Sequence, residues 1–181
     1  MLGGALAGTW PGGTGKMRAM KRDARFSRCR QYRYALWRWW GDDAAATPPE
    51  ASRYALIIGL NPSTADHLQD DPTIRRCIGF ARDWGYDGLC VANLFAWRAT
   101  YPEDLKGAAD PVGPRNNYWL RRLAANAEVV VAGWGNHGLH LDRAARVRRM
   151  LPDCHILRLN TSGEPAHPLY LPKTLRPQPW R

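Results

Sequence analysis

Tyr54-Ala55-Leu56-Ile57-Ile58-Gly59-Leu60-Asn61-Pro62 is a short, unbroken apolar run that ends in a polar turn. It has no alternation and is too short for a buried helix, so it reads as a strand covered on both faces, as in a parallel sheet. Pro62 pushes Asn61 out of the helical region and fixes where the strand stops. Three later segments read the same way: Leu89-Cys90-Val91-Ala92-Asn93, Glu128-Val129-Val130-Val131-Ala132-Gly133 and His155-Ile156-Leu157-Arg158-Leu159. Helical patterns lie between them. Asp71-Pro72 is an N-cap followed by proline at the first helical position. Ile74, Cys77, Ile78 and Ala81 then share one face, with Arg75, Arg76 and Arg82 opposite. Residues 116–127 turn Leu120, Leu123, Ala124 and Ala127 inward, and residues 141–151 form an arginine-rich helix. A short helix is expected near Pro102-Glu103-Asp104-Leu105 within the connection 94–115.

Strand–helix alternation predicts a three-layer α/β/α domain with a mainly parallel, four-stranded central sheet. Tyr32 to Trp40 adds an N-terminal strand that is both aromatic and basic, followed by a Gly/Pro loop over 41–52. The chain has 181 residues, one domain's worth. Folding at that size hides about 70% of the unfolded surface without a metal or disulfide staple. Residues 1–20 are Gly-rich and aperiodic and are expected to be a disordered leader, leaving 21–181 as a single domain. Gly12-Gly13-Thr14-Gly15-Lys16 fails as a P-loop: Trp10 stands where the first glycine belongs, and Met17 follows the lysine. No apolar run approaches the ~20 residues of a membrane span, and Met1-Leu2-Gly3-Gly4-Ala5-Leu6 lacks the basic start and long apolar centre of a signal peptide. Cys29, Cys77, Cys90 and Cys154 are scattered, which fits neither a zinc site nor a disulfide framework. These features predict a reduced, cytoplasmic, monomeric protein with no membrane partner, no metal and no cofactor.

The net charge is +10 and is concentrated near the N-terminus. Between residues 16 and 38, Lys16, Arg18, Lys21, Arg22, Arg25, Arg28, Arg30, Arg33 and Arg38 face Asp23 alone. Tyr32, Tyr34, Trp37, Trp39 and Trp40 interleave with the later arginines. Guanidinium groups fork onto phosphates and aromatic faces stack on bases, so the stretch suits a nucleic-acid surface. A basic solvated strand with its aromatics in the core would give the same pattern.

Ligands on parallel sheets bind at the carboxyl ends of the strands. Those ends carry Asn61-Pro62-Ser63, Asn93, Trp134 to His137, and Asn160 to Gly163, which is a convergence of polar groups on one rim. Asn61 is a candidate to orient water or polarise a substrate; its plain alternative is a turn amide bonding its own backbone. Asp66 is a candidate general base or arginine partner, whereas Asp71 reads as a helix cap. Gly133-Trp134-Gly135-Asn136-His137-Gly138 matches the dinucleotide pattern G-x-G-x-x-G. Its late position, its bulky Trp134 and the Asn160 that replaces a ribose-binding acid count against it. His167, after the last strand, is a candidate donor to a leaving group near neutral pH.

Leu60-Asn61-Pro62-Ser63-Thr64-Ala65-Asp66, Asp71-Pro72-Thr73-Ile74-Arg75-Arg76-Cys77, Asn93-Leu94-Phe95-Ala96, Ala132-Gly133-Trp134-Gly135 and His167-Pro168-Leu169-Tyr170-Leu171-Pro172 closely resemble the bacterial and phage family named domain of unknown function 1643. The resemblance covers roughly residues 25–180 and implies no activity. A more distant resemblance is to the uracil-DNA glycosylase superfamily. Gly59-Leu60-Asn61-Pro62 is similar to its first motif, although Asn61 stands where the fastest members carry a catalytic Asp. Val91-Ala92-Asn93 with Trp97-Arg98-Ala99, Trp134-Gly135-Asn136-His137-Gly138, and Asn160-Thr161-Ser162-Gly163 or His167-Pro168-Leu169 are similar to the later motifs, in order. This resemblance implies a uracil-DNA glycosylase-like fold that hydrolyses the N-glycosidic bond of a modified or damaged base, in DNA rather than RNA. Asn61, His167 and Asp66 would be catalytic. Asn93, Trp97, Trp134, Asn136 and Asn160 would hold the base, and Ser63, Arg75, Arg98 and Ser162 the phosphates. The alternatives are a non-catalytic nucleic-acid-binding module of the same fold, or a nucleotide-dependent enzyme using the Gly133–Gly138 turn.

Overall fold

The apolar run at Tyr54 becomes the hub of the sheet in a computed structural model, which describes residues 20–41, 44, 47–63 and 68–181. The strands are β1 (Lys21–Phe26), β2 (Arg33–Trp39), β3 (Tyr54–Gly59), β4 (Gly88–Asn93), β5 (Val129–Ala132), β6 (His155–Ile156) and β7 (Gln178–Pro179). Their order across the sheet is β1-β2-β4-β3-β5-β6-β7. β3 pairs in parallel with β4 and β5, and β5 in parallel with β6. β2 pairs antiparallel with β1 and β4, and β7 antiparallel with β6. The result is a mixed, seven-stranded sheet, wider than the four strands and one extension expected.

The helices are α1 (Pro72–Asp83), α2 (Pro102–Gly107), α3 (Asn116–Asn126) and α4 (Arg143–Met150). Alternation along the strands splits the core in two. Leu36, Ala55, Ile57, Leu89 and Val131 meet Ile74, Cys77, Phe80 and Ala81 of α1. Trp37, Tyr54, Leu56, Ile58 and Cys90 meet Leu120 and Leu123 of α3 and Ala144 and Val147 of α4. Helices therefore cover both faces, which is why β3 and β4 need no polar side.

Four elements depart from expectation: β7, which adds an edge beside β6, and β1, β6 and α4. β1 (KRDARF) has no apolar pattern and exists because β2 offers it an open edge. β6 stops at Ile156, and Leu159 instead bridges Pro165 as the chain doubles back. α4 begins at Arg143 because Leu141 and Asp142 take positive φ (55° and 53°), which closes the 3-10 segment Asn136–Asp142. Of the expected leader, residues 1–19 lie outside the described residues. Among the described residues, no helix is long and apolar enough to cross a membrane.

Candidate functional site

β3, β4 and β5 all end at one rim, and the segments leaving them enclose a cleft of about 510 Å³. Asn61 and Ser63 come from the exit of β3, Asn93 from the last position of β4, and Trp134 and Asn136 from the exit of β5. Asn160 and His167 come from the segment after β6. Seven of the residues read from the sequence therefore share a wall. Trp97, Arg75, Arg98 and Ser162 do not line it, and Asp66 lies outside the described residues.

Asn93 stands at the floor. It is 5% exposed, and its Oδ1 is buried with no hydrogen-bond partner among the described residues. Gly59 makes room for it, since a Cβ there would lie 2.9 Å from the Asn93 amide nitrogen. Asn116 fixes the strand exit from behind by donating to the backbone oxygens of Asn93 (3.0 Å) and Leu94 (2.8 Å). Asn61 donates its amide to the carbonyls of Ala99 (2.7 Å) and Pro62 (3.2 Å), so its own oxygen is the group it can offer a ligand.

His167 caps a short 3-10 turn, where Nδ1 accepts from the Leu169 N–H. The proton therefore belongs on Nε2 when the ring is neutral. Burial lowers its pKa, against an opposing pull from Asp71, so at neutral pH it offers an N–H rather than a cation. Its segment is pressed onto β5. A Cβ at Gly133 would lie 2.9 Å from Pro168 Cγ, and the Gly135 N–H donates to Pro165 at φ 72°. The third glycine of the dinucleotide-like motif, Gly138, lies against the Trp134 indole, where a Cβ would approach Cδ1 to 2.3 Å. Each of these glycines answers a steric demand of the chain itself. The turn opens onto a 3-10 segment rather than an α-helix.

Trp134 is 1% exposed and donates to Glu164 at 2.6 Å, so it forms the wall and has no free face for a base. Trp97 packs edge-on against Tyr32. Asn136 Oδ1 accepts from Asn160 Nδ2 (2.7 Å) and Ser162 Oγ (2.8 Å), a small amide–hydroxyl cluster on the rim. Arg75 donates to the Asp70 carbonyl and Arg98 to that of Arg30, away from the cleft. Asp71 caps α1 by accepting from the Ile74 N–H at 2.8 Å.

Sequence reasoning missed Arg33. It lines the cleft, 3% exposed. Burial lowers its guanidinium to about 10, with Asp71 acting in the opposite direction, so it stays charged at neutral pH. It opens β2, which is buried at every position, but no residue beside it in the sequence marks it off from the solvated arginines of the same basic stretch. Cys77 also lines the cleft, but burial pushes its thiol up to about 12, which makes it a poor nucleophile. Among the described residues no group of His, Cys, Asp and Glu is placed to hold a metal ion.

Sheet and cleft together define an α/β protein with a polar pocket at the carboxyl ends of its parallel strands. The chain belongs to the family described as protein of unknown function (DUF1643), which matches residues 33–169. Of the residues lining the cleft, only Tyr170 and Leu171 fall outside that span. No curated protein and no solved structure matches the chain.

Proposed function

We propose that the cleft receives a nucleobase drawn out of a nucleic-acid strand and that the protein hydrolyses its N-glycosidic bond, in the manner of the uracil-DNA glycosylase superfamily. The observation that carries this reading is Asn93, a buried amide with an unpaired acceptor at the floor of a cleft of small-molecule size. A buried polar atom without a partner costs about 1–3 kcal/mol, and the edge of a base would supply the missing donor. Asn61 Oδ1 orients the attacking water. The water oxygen bonds to the sugar carbon as the C–N bond breaks, and the base leaves with the electron pair. Arg33 and the His167 N–H steady the developing negative charge, since fixed donors aimed at forming charge lower such barriers. The water's proton ends on the departing base. Asp66 is the candidate general base that takes this proton from the water and passes it to the leaving base.

Abasic-site formation on a panel of oligonucleotides carrying modified bases tests the proposal. Cleavage of at least one member is expected, with Asn61→Ala losing cleavage and keeping binding. One observation favours the non-catalytic module instead: Asp71, the sole carboxylate lining the cleft among the described residues, is committed to capping α1. Binding by the wild type with no abasic sites on any member would establish that second reading.

A further inference from the structure

A second cavity, of about 500 Å³, lies in the groove between α3 and α4. Arg121 of α3 and Arg143, Arg146 and Arg149 of α4 line it, with no carboxylate among the lining residues. On α4 the spacing is i, i+3, i+6, which puts the three on one face. An arginine-rich helix face is ordinarily a solvated surface. Arg143 departs from that pattern because it is 5% exposed. Its Nε donates to the Leu94 carbonyl at 2.8 Å and its Nη2 to Asn117 Oδ1 at 2.7 Å. Both acceptors are neutral, so they orient the guanidinium without cancelling its charge. Nη1 makes no hydrogen bond among the described residues. Asp142 meets Arg149 at 3.7 Å with both side chains about two-thirds exposed, a weak pairing.

A buried cation held by neutral groups and surrounded by like charges is costly to fold unless an anion completes it. We propose that the α3–α4 groove binds an oligophosphate: two or more linked phosphate groups, carried by a free polyphosphate compound or by a nucleic-acid strand. Guanidinium forks match phosphate oxygens in pairs, and arginines at successive turns of α4 suit neighbouring phosphates. The groove shares no lining residue with the rim cleft, and the proposal does not depend on the reading of the cleft.

The test uses the intact protein with two probes, inorganic tripolyphosphate by calorimetry and a labelled oligothymidylate by fluorescence anisotropy. Arg146→Gln/Arg149→Gln changes two exposed groove residues. Lys106→Gln/Lys173→Gln removes the same charge from exposed positions elsewhere. Far-ultraviolet circular dichroism checks that both variants fold. The groove variant is expected to weaken binding about tenfold or more, as the loss of charge-assisted contacts implies. The lysine variant should leave binding within about twofold of wild type, because bulk charge acts only weakly through screening. Tight tripolyphosphate binding without oligothymidylate binding assigns a free ligand, and the converse assigns a strand. Equal losses in the arginine and lysine variants, or no saturable binding of either probe, would overturn the proposal.

Discussion

β1 and β2 come from one basic stretch and lie side by side, yet every residue of β2 is buried and none of β1 is. The contrast is sharpest at one register position, where Arg22 of β1 stands directly across from Arg38 of β2. Like charges in that position repel. Asp70, just ahead of α1, resolves the conflict by meeting Arg38 Nε at 2.7 Å and Arg22 Nη1 at 3.0 Å. One carboxylate thus serves a guanidinium with no exposure and another that is 34% exposed. β2 has paired neighbours on both edges and core on both faces, whereas β1 is an edge strand whose charges discourage further pairing. The aromatics of β2 go the same way as its arginines. Tyr34, Trp37 and Trp39 are in the core, so stacking on bases is not their role.

The largest expected difference between the two regions is chemical. Cys29, in the turn between β1 and β2, is exposed, and hydrogen bonding from Ser27 lowers its pKa. Cys90, on β4 beside β2, is buried, and burial raises its pKa well above the usual value. Alkylation by iodoacetamide, followed by mass spectrometry, should mark Cys29 at least on the order of a thousandfold faster, since Cys90 reacts only through opening of the core. Comparable rates would mean that the core around β2 opens readily. Next in size is Asp70→Asn, which strips the shared counter-charge. It should cost about 3–5 kcal/mol in urea denaturation, because it removes the carboxylate that meets the buried Arg38 at 2.7 Å. Arg22→Ala breaks the exposed half of the same pair and should cost under about 1 kcal/mol, less in high salt. If the two substitutions cost the same, burial is not what separates the strands. The smallest effect extends the comparison to a titrating group. The folded pKa of His167 lies below the usual 6.5 because burial disfavours its charged form. As pH falls below 6.5, the unfolded chain takes up the proton first. Stability should fall over that window, until the folded imidazole titrates as well. Above it, the group has no effect, and His167→Gln should remove this slope from a pH series of denaturation midpoints.

The elements legible in the sequence were those whose residues carry their own reason to exist. β3 and β4 were readable because an unbroken apolar run has few places to go. α1 was readable because Asp71 and Pro72 announce its start and Ile74, Cys77 and Ala81 its buried face. β1 was not, since Lys21-Arg22-Asp23-Ala24-Arg25-Phe26 becomes a strand only through its partner. The rim was legible as a set of strand ends, which is why Asn61, Asn93, Asn160 and His167 fell together. Which way a side chain turns at that rim was not. Trp134 turns inward because Glu164 accepts its indole N–H. Arg98 turns to the Phe26 ring, 5.1 Å from its centre. Both partners are remote in the chain. Arg33 was hidden for a different reason: within a run of arginines, nothing local distinguishes the buried one from those in solvent.

The clamp of Gly133 on Pro168 has a consequence for how the molecule comes into being. A ribosome delivers β3 and β4 ahead of it. The His167 segment arrives more than a hundred residues after Tyr54 and is the piece that shuts one side of the cleft. A nascent chain halted before that segment can hold a half-built sheet with its rim still gaping. Competence for any ligand at the rim therefore waits on the arrival of the His167 segment.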